Sequence, residues 1–595
     1  MADAPASAPS DRDLASIAEA RHLVRRAKAV QPVLAEFSQE QIDRLIDAMA
    51  AAVDPHAEAL AKLAVEETGY GVVADKIRKN TFASQRVYQF IRPMKTVGVI
   101  RRIDEKKIIE IAEPFGVVCA IIPSTNPTST AIYKILIAIK ARCAIVLSPH
   151  PSAVRCISRV AEIMERAARE AGLPEGAIGW MQTVTLEGTQ ELMKAREVSV
   201  ILATGGMGLV RAAYSAGKPA YGVGPGNAPA YIERTADIPK AVSDIITGKT
   251  FDNGLLCSSE NSVVTDEAIA ATVKAEFVKQ GAYFLSPAEI DAVGKILISP
   301  QRLPNPALVG RAATIIAAQA GMKVPDTTRV LIAELAGVGR DYPLSIEKLC
   351  PVLSFYVVRD WREGCERCKQ ILRYGGMGHT MSIHSKDDDI ILQFGLYKPA
   401  FRIVVNTPTT LGSIGLTTGL DPAMTLGCGG YGGNITSDNI SPMHLLNIKR
   451  LAYEVQPANA DRPGAAAAAR TPAPAAPRAE GISVDTLRTR IDSFLASRGY
   501  SGVAAPAPAA TSAPAPPAAA APPAPAPAPP PVAAAPKATP AAPPEKPAEF
   551  VCEDDVRQAV KAGRKILIGE RTIVTPAARD LGEQQRIFTD GTAIR

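Results

Sequence analysis

Apolar residues recur at helical spacing through the first part of the chain. In FSQEQIDRLIDAMAAAV, which begins at Phe37, apolar side chains fall three and four residues apart, and Ser38 stands where the N-cap of a helix belongs. We therefore expect residues 12–70 to form two or three amphipathic helices.

From Lys107 onward the pattern changes to alternation and to short apolar runs. KIIEIAEPFGVVCAIIP predicts a strand, a Pro-Phe-Gly turn and a second, buried strand. ARCAIVLSPH (141–150) and EVSVILATGG (197–206) each predict a strand that ends in small or polar residues. Helical segments such as SAVRCISRVAEIMERAAREAG follow these strands. Strand, turn and helix in repetition indicate βαβ units and a parallel sheet.

A second set of strand and helix signals follows the first. It includes 259–285, 352–360 and 378–387, each with an apolar run of strand length. Two sets of βαβ signals predict two α/β layers. The expected fold is therefore α/β, with two Rossmann-type parallel-sheet domains that meet at a cleft.

The composition after Glu454 differs from that of the globular part. Ala and Pro dominate 454–480 and 501–549, and such a composition cannot bury a core, so we expect extended, disordered linkers. Between them, the island 481–500 predicts a short amphipathic helix. Its apolar face comprises Val484, Leu487, Ile491, Phe494 and Leu495. The last segment, 550–595, predicts a helix and a short strand, and its role stays open.

Charge and cysteine content exclude several classes of function. The net charge is +6, from 66 basic and 60 acidic residues, and no stretch joins Lys and Arg with aromatic residues, so no nucleic-acid partner is expected. No secretory signal or membrane-spanning run is present, which predicts a soluble, cytoplasmic protein. An odd total of nine cysteines favours a reducing compartment. Cys365 and Cys368 form a CxxC without a second half, so no metal is expected.

Four turns at predicted strand ends carry small or polar residues. The carboxyl ends of parallel strands are where α/β proteins bind ligands, and a Gly-Gly pair at a helix start lets the backbone approach an anion. Taken singly, each is compatible with an ordinary turn. The turns contain Pro123, Ser124, Thr125 and Asn126; Ser148, Pro149 and His150; Thr204, Gly205 and Gly206; and Gly224, Pro225 and Gly226.

One cysteine stands apart from the others in its surroundings. FDNGLLCSSE places Cys257 after an Asn-Gly turn and before small hydroxyl residues, which allow access. The residues alone leave two interpretations open, a core thiol in a loop or a nucleophile within reach of a substrate.

The order and content of these stretches resemble the aldehyde dehydrogenase superfamily over residues 12–453. EPFGVVCAIIPSTNP is similar to the turn that carries that family's oxyanion-hole asparagine, here Asn126. LATGG is similar to its cofactor-binding helix start. FDNGLLCSSENSVV is similar to the loop with its catalytic cysteine, here Cys257. EKLCPVLSF is similar to its Glu-x-x-x-Pro-Val motif, with Glu347 and Pro351.

The resemblance implies roles for these residues. Cys257 and Asn126 would be catalytic. The residues of the four turns other than Asn126, together with Glu347 and Pro351, would bind NAD and CoA, with Glu347 on the nicotinamide ribose. Alternatives remain for Asn126 as a turn residue, Glu347 as a surface helix residue and His150 as a capping residue. The implied domains are 1–236 for the nucleotide, with 421–453 returning to it, and 237–420 for the cysteine.

Two departures from the family pattern resemble its CoA-acylating branch, which includes propionaldehyde and acetaldehyde dehydrogenases of bacterial microcompartments. No glutamate stands in Gly222 to Gly226, where hydrolytic members activate water, and Ser148 to Pro151 replace Lys-Pro-Ser-Glu. This implies that a short aldehyde, NAD⁺ and CoA give acyl-CoA and NADH through a thioester on Cys257, in ping-pong order. A hydrolytic enzyme with a relocated base and a non-catalytic interaction scaffold are the alternatives.

The same resemblance implies partners and a location. Such folds form homodimers or tetramers, and linker-tethered amphipathic helices serve microcompartment enzymes as encapsulation peptides. We therefore expect the 481–500 helix to bind a shell protein and place the enzyme in a microcompartment lumen. The alternative is that the helix docks on its own enzyme body. The particular aldehyde and the preference between NAD and NADP stay open.

Overall fold

The computed structural model describes residues 10–458, 483–497 and 548–590, the last range without 549, 570–571, 576–577, 580 and 583–584. The chain divides into two compact units, one up to Thr471 and one from Pro472.

The first unit alternates helices with strands after an all-helical start. Its helices are α1 (Asp11–Ala35), α2 (Gln39–Val53), α3 (Ala57–Thr68), α4 (Val73–Thr81), α5 (Tyr88–Ile91), α6 (Pro127–Lys140), α7 (Val154–Glu170), α8 (Leu186–Lys194), α9 (Met207–Tyr214), α10 (Ile238–Thr250), α11 (Glu267–Lys279), α12 (Pro287–Leu297), α13 (Ala313–Gln319), α14 (Trp361–Tyr374), α15 (Asp388–Leu396) and α16 (Thr409–Ser413). Its strands are β1 (Gly98–Ile103), β2 (Ile108–Pro114), β3 (Val117–Ile122), β4 (Ile145–Pro149), β5 (Ile178–Trp180), β6 (Val198–Thr204), β7 (Ala220–Val223), β8 (Ala228–Ile232), β9 (Glu260–Asp266), β10 (Ala282–Phe284), β11 (Val330–Glu334), β12 (Val352–Val358), β13 (Gly378–His384), β14 (Ala400–Val405) and β15 (Leu446–Ala452).

The N-terminal helices begin where the sequence signals predict. The Ser38 Oγ accepts a hydrogen bond from the Gln41 backbone N–H at 3.3 Å, and the Ser38 N–H donates to Gln41 Oε1 at 2.8 Å. This reciprocal capping satisfies backbone donors at the start of α2 that the helix itself leaves unpaired. The predicted cap at Ser38 is therefore confirmed.

A five-stranded parallel sheet forms the first α/β layer, in the order β5-β4-β3-β6-β7. The chain runs outward from β3 to β5, then returns to the other side of β3 for β6 and β7. The carboxyl ends of β3 and β6 are therefore the point where the strand order reverses, and such a point opens a crevice above the sheet.

A seven-stranded parallel sheet forms the second layer, in the order β10-β11-β12-β9-β8-β13-β14. The predicted fold of two parallel-sheet domains is thus confirmed. The predicted domain boundary at residue 236 is wrong, because β8 (Ala228–Ile232) pairs with β9 and β13 of this second sheet. The chain passes between the sheets in the turn after β7, where a Gly-Pro-Gly sequence reads as an ordinary hairpin turn.

A small antiparallel sheet in the order β1-β2-β15 closes the first unit. Leu446 of β15 pairs with Pro114 of β2, so the end of the globular region returns to the N-terminal half of the chain, and the assignment of 421–453 to the nucleotide domain stays a prediction. The outer strand β14 of the seven-stranded sheet exposes alternate apolar residues, with Phe401 43% and Val405 38% exposed.

The helix α6 lies at the centre of the first unit. All 14 of its residues are buried, including Lys134 and Lys140. Because α6 follows β3 directly and is enclosed on every side, its first residues have a fixed position relative to the sheet.

The described residues of the second unit form one helix and a small α/β segment. Its elements are α17 (Val484–Ser497), β16 (Phe550–Val551), α18 (Glu553–Lys561), β17 (Ile566–Ile568), β18 (Ile573–Val574) and β19 (Phe588–Asp590). Parallel pairs β16–β18 and β17–β19 cover a small core of Val551, Val556 and Ala578. The predicted helix in 481–500 and helix and strand in 550–595 are present. Most of the two predicted linkers, at 459–480 and 501–547, lies outside the described residues.

Among the helices that the structure describes, no helix combines the length and the apolar character needed to cross a membrane.

Candidate active site

A cavity of about 430 Å³ lies where the two large sheets meet. It opens at the carboxyl ends of β3, β4 and β6, and the amino ends of β8, β9 and β12 form its other wall. Most of the residues singled out from the sequence line it. These are Pro123, Ser124, Thr125, Asn126, Ser148, Pro149, His150, Thr204, Gly205, Gly206, Gly224, Pro225, Cys257 and Glu347.

Cys257 lies in the loop between a short 3₁₀ turn (Phe251–Gly254) and β9. In that turn Asp252 and Asn253 have left-handed φ angles of 50° and 54°. Non-glycine residues adopt this conformation only when surrounding contacts hold them in it. Cys257 is a half-buried residue, and it lines the cavity, so the cavity gives access to a thiol that is otherwise surrounded by protein.

The surroundings of Cys257 favour the protonated thiol. Burial, and then the Glu347 carboxyl, raise the pKa of Cys257 to about 12, while the Arg402 guanidinium acts in the opposite direction. Burial also raises the pKa of Glu347 to about 8. A nucleophilic attack by Cys257 therefore has to release a proton to an acceptor.

Gly226 allows the close approach of two walls of the cavity. A Cβ at this position would lie 1.9 Å from the Cys257 carbonyl oxygen, so only glycine fits without displacing the cysteine loop. The Gly226 N–H donates to Glu347 Oε1 at 2.9 Å. Gly226 thus contacts the Cys257 carbonyl and Glu347 and is not among the residues that line the cavity, and its expected contact with a cofactor stays a prediction.

Asn126 occupies the N-cap position of α6, yet its side chain makes no capping hydrogen bond. Its Nδ2 donates to Thr125 Oγ1 at 3.2 Å, and its Oδ1 accepts a hydrogen bond from Lys79 Nζ at 2.6 Å. The alternative in which Asn126 serves only to shape a turn leaves this arrangement unexplained. The amide lines the same cavity as Cys257.

Glu347 lies between a 3₁₀ turn (Pro343–Ser345) and β12, and only 7% of it is exposed. The alternative of a surface helix residue is therefore wrong. Pro351, at the start of β12, accepts a backbone hydrogen bond from Leu331 at 3.0 Å and does not line the cavity. Its place is structural, because it lies within the sheet.

The floor of the cavity is fixed by a buried lysine that the sequence interpretation missed. Lys134 Nζ donates to the carbonyl oxygens of Ile121 (2.8 Å) and Leu202 (2.9 Å) and to Thr204 Oγ1 (2.9 Å). Burial lowers its pKa to about 7. The lysine joins the carboxyl ends of β3 and β6, and α9 begins just beyond, after Gly206, with the unpaired N–H groups of a helix start.

His150 combines two of the expected features. Its Nδ1 accepts a hydrogen bond from the Ser152 backbone N–H at 3.2 Å, so it caps the turn that opens α7. It also lines the cavity. Because Nδ1 is an acceptor, the neutral ring carries its proton on Nε2, which leaves a hydrogen-bond donor for a ligand.

A group of buried charges beside the cavity also went unpredicted. Lys76 and Lys79 of α4 both contact the carboxylate of Asp252, and the three residues are 1%, 2% and 0% exposed. We call Lys76, Lys79 and Asp252 the buried ion cluster. In VADKIRKNT two lysines three residues apart look like part of a solvated helix face, and nothing local to that stretch indicates their burial.

A buried histidine adjoins the same region. His379, in β13, is 0% exposed, and its Nε2 has no hydrogen-bond partner in the part of the chain that the structure describes. Burial lowers its pKa to about 3, so the ring is neutral. A Cβ at Gly226 would lie 3.3 Å from the His379 ring, which places the ring beside the support of Cys257.

The sequence matches known proteins over the region that forms this site. The model of the Aldehyde dehydrogenase family matches residues 10–284. The chain is 43% identical over 446 residues to the bifunctional aldehyde-alcohol dehydrogenase AdhE of Escherichia coli K12, a match that covers 74% of this chain and 50% of the relative. It is 39% identical over 434 residues to the acetylating succinate-semialdehyde dehydrogenase of Clostridium kluyveri, covering 73% of this chain and 95% of the relative. The chain thus spans about half the length of its first bifunctional relatives.

Solved structures give the same result. An acetylating aldehyde dehydrogenase from Geobacillus thermoglucosidasius superposes with a TM-score of 0.74 at 50% identity, covering 76% of this chain and 99% of that one. A propionaldehyde dehydrogenase from a fucose-utilisation bacterial microcompartment of Clostridium phytofermentans has a TM-score of 0.66 at 29% identity, covering 73% and 97%. A propionaldehyde dehydrogenase from Rhodopseudomonas palustris, solved with bound CoA and an acylated cysteine, has a TM-score of 0.65 at 25% identity, covering 73% and 97%.

The contact behind Cys257 predicts that Gly226→Ala disrupts the site. The added methyl group would meet the Cys257 carbonyl oxygen, so we expect a loss of about 1–3 kcal/mol in unfolding free energy and a slower reaction of Cys257 with an alkylating reagent. Gly419→Ala is the matched control, because its Cβ meets nothing within 4 Å. Denaturant unfolding and peptide mass spectrometry measure both effects, and equal behaviour of the two variants would contradict the prediction.

Proposed function

Because this chain belongs to the aldehyde dehydrogenase family, we propose that it is a CoA-acylating aldehyde dehydrogenase. In this proposal a short-chain aldehyde such as acetaldehyde or propionaldehyde, NAD⁺ and CoA give acyl-CoA and NADH. The acyl group is carried on Cys257 between the two halves of the reaction.

The observation that carries the proposal is the lack of a water-activating carboxylate on one wall. The turn between β7 and β8 contributes Gly224 and Pro225 to the cavity, and Gly222 to Gly226 contain no acidic residue. Among the described residues that line the cavity, Glu347 alone has a carboxyl group, and its Oε1 already accepts the Gly226 N–H. Hydrolysis of a thioester needs a base that activates water, so a thioester here persists until a thiol attacks it.

The first half of the reaction uses Cys257 and Asn126. The Cys257 sulfur attacks the aldehyde carbon as its thiol loses a proton, which gives a thiohemiacetal with a developing negative charge on oxygen. The Asn126 Nδ2–H and the Cys257 backbone N–H are the donors for that oxygen, and preorganised donors of this kind stabilise the transition state. A bound nicotinamide nucleotide supplies the hydride acceptor that converts the thiohemiacetal to a thioester.

The cavity has the features that a nucleotide requires. The start of α9, after Gly206, offers backbone N–H groups to phosphate oxygens, and a Cβ on Gly206 would meet nothing within 4 Å, so the approach is open. The Nε2 donor of His150 is available to a phosphate or ribose hydroxyl. Glu347 is the candidate partner of the nicotinamide ribose, as the family resemblance implies.

The second half uses CoA as the acyl acceptor. The CoA thiol attacks the thioester carbonyl, the Cys257 sulfur leaves and is protonated again, and the acyl group is transferred without net oxidation or reduction. The related enzymes described as acetylating support this step, as does the R. palustris enzyme with bound CoA and an acylated cysteine. The two thioesters are close in energy, so the reaction is reversible.

We propose further that the enzyme assembles as a dimer or tetramer of identical chains. The outer strand β14 leaves one edge of the seven-stranded sheet without a partner strand in the part of the chain that the structure describes, and Phe401 and Val405 expose apolar surface there. An uncovered apolar strand edge is a template for pairing with another chain, and a second copy is the partner that symmetry supplies.

The microcompartment location is also a proposal, and α17 is its support. Leu487 and Ile491 lie one turn apart and are 49% and 48% exposed. A short helix with an exposed apolar face is marginal alone in water, so a shell protein with a complementary groove is the proposed partner. The similarity to the C. phytofermentans enzyme supports this context.

The proposed chemistry predicts NADH formation that depends on both aldehyde and CoA. We expect Cys257→Ala to lower the rate at least about 10³-fold, because the nucleophile is lost. Cys552→Ala, in the second unit, is the matched control and should retain the wild-type rate. Absorbance at 340 nm measures NADH, and a full rate without CoA would identify a hydrolytic enzyme instead.

The exposed edge predicts that the enzyme is not a monomer at micromolar concentration. We expect sedimentation velocity to give a dimer or tetramer, and Phe401→Lys with Val405→Lys to shift it towards the monomer, because charged side chains on an edge strand oppose pairing. Exposed Leu303, 63% exposed, gives the control variant Leu303→Lys. A monomeric wild type would contradict this proposal.

The exposed face of α17 predicts a test of the proposed location. We expect Leu487→Asp with Ile491→Asp to abolish co-sedimentation with purified microcompartment shells and to leave the rate of NADH formation unchanged. Thr489→Ala, on the opposite face of the helix, should co-sediment like the wild type. Unchanged co-sedimentation of the double variant would remove the shell protein as the partner of this face.

A further inference from the structure

The buried ion cluster contains more charge than the proposed chemistry uses. Asp252 Oδ2 accepts hydrogen bonds from Lys76 Nζ at 3.0 Å and from Lys79 Nζ. Its Oδ1 accepts the Val72 N–H at 2.7 Å, and its own N–H donates to Asp75 Oδ2 at 2.8 Å. Asp252 is therefore held by four groups from one short stretch of chain, and two lysines share a single buried carboxylate.

The second contacts of the two lysines differ. Lys79 Nζ donates to Asn126 Oδ1 at 2.6 Å, whereas Lys76 Nζ donates to the Thr125 backbone carbonyl at 3.1 Å. Only Lys79 contacts the Asn126 side chain. Lys76 is thus a neighbour with the same charge, the same burial and the same carboxylate partner, but without the amide contact.

The contact with Lys79 settles which way the Asn126 amide faces. An ammonium group has donors and no acceptor, so it can lie only against the carbonyl end of an amide. The Nδ2 of Asn126 is then directed away from Lys79, and one of its hydrogens is on Thr125 Oγ1 at 3.2 Å. The other hydrogen remains for the cavity that Asn126 shares with Cys257.

We propose that Lys79 is a positioning residue, which holds the Asn126 amide with its N–H donors towards the oxyanion formed on Cys257. This proposal rests on the proposed function in assigning the oxyanion to Asn126. With the amide reversed, an oxygen would face the developing negative charge and oppose the reaction. A fixed orientation also removes the reorganisation that a freely rotating amide would need at the moment of attack.

The charge of Lys79 acts in the same direction. Asp75, which accepts the Asp252 N–H, brings the cluster's surroundings to two lysines and two aspartates, so the cation that lies on the Asn126 carbonyl oxygen is Lys79 itself. Burial lowers the pKa of Lys79 to about 8, so most of it is charged at pH 7. A cation on the carbonyl oxygen polarises the amide and strengthens its N–H groups as donors.

A double-mutant cycle separates this role from a general structural one. The variants are Lys79→Met, Lys76→Met and Asn126→Ala, with each lysine change repeated in the Asn126→Ala background. The measurement is the rate at which an activated ester, p-nitrophenyl acetate, acylates Cys257, followed by nitrophenolate release and by peptide mass spectrometry. Acylation forms an oxyanion on the ester carbon and needs neither aldehyde, NAD⁺ nor CoA.

We expect Asn126→Ala to slow acylation about 10²–10³-fold and Lys79→Met about 10-fold or more. In the Asn126→Ala background, Lys79→Met should have no further effect beyond about twofold, because its target is absent. Lys76→Met is the matched control, because Lys76 has no contact with the Asn126 side chain, and its effect on the rate should multiply with that of Asn126→Ala. Thermal unfolding records the loss of stability common to both lysine variants.

Two results would overturn the proposal. One is an unchanged acylation rate in Lys79→Met; the other is a double variant whose rate falls by the product of the single effects. Should Lys79→Met fail to fold, Lys79→Ala removes the same donor to Asn126 Oδ1 and carries the same cycle. A wild type in which the ester leaves Cys257 unmodified would also contradict it.

The failure of the proposed function gives a different pattern. NADH formation could prove independent of CoA while Lys79→Met still has no further effect in the Asn126→Ala background. The role of Lys79 would then stand, and the acyl acceptor would be a molecule other than CoA. If NADH formation required CoA while the cycle showed independent effects, the function would stand and Lys79 would be structural.

Discussion

One cavity lies between the carboxyl ends of the strands of one parallel sheet and the amino ends of the strands of the other, and every group in the site depends on that arrangement. The carboxyl ends of the strands in the five-stranded sheet provide Asn126, Ser148 and Thr204. The loops before the amino ends of two strands in the seven-stranded sheet provide Cys257 and Glu347. The first sheet supplies helix starts, which suit phosphates and the oxyanion donor. The second supplies the ends of loops, which can carry an exposed thiol. Neither sheet alone carries both Cys257 and the Asn126 amide, the proposed nucleophile and its side-chain donor.

The buried ion cluster joins the two sheets, and its charges have to remain paired because they are buried. Lys76 and Lys79 precede the first sheet in the chain, while Asp252 belongs to the loop of Cys257. Charges out of water are costly unless they are paired, and removing one partner of a buried pair typically costs about 3–5 kcal/mol. The cluster therefore fixes the two walls relative to each other more strictly than apolar contacts would. Gly226 completes this constraint, because its lack of a side chain lets the β7–β8 turn press against the Cys257 carbonyl.

The sequence patterns predict the fold well and the site in part, for identifiable reasons. Strand ends with small residues mark the cavity from the side of the first sheet, and the resemblance at Cys257, Asn126 and Glu347 leads to residues that line it. The predicted boundary at 236 is wrong because the sequence of the turn after β7 does not show whether the next strand continues the same sheet or begins another. Lys79, Lys134 and His379 were missed because burial is a tertiary property, and a lysine on a short helix gives no local sign of the oxygen atoms that it will contact.

The sequence separation within the buried ion cluster has a consequence for the order of folding. Asp252 lies 176 residues from Lys76 and 173 from Lys79. Contacts of such long range form late, after the loops that separate them are organised. A nascent chain that has completed only the first sheet holds Asn126 and both lysines but lacks Asp252, and Cys257 follows Asp252 by five residues. In the proposed function, the thiol therefore gains its side-chain donor only when the two halves dock, at a late stage of folding.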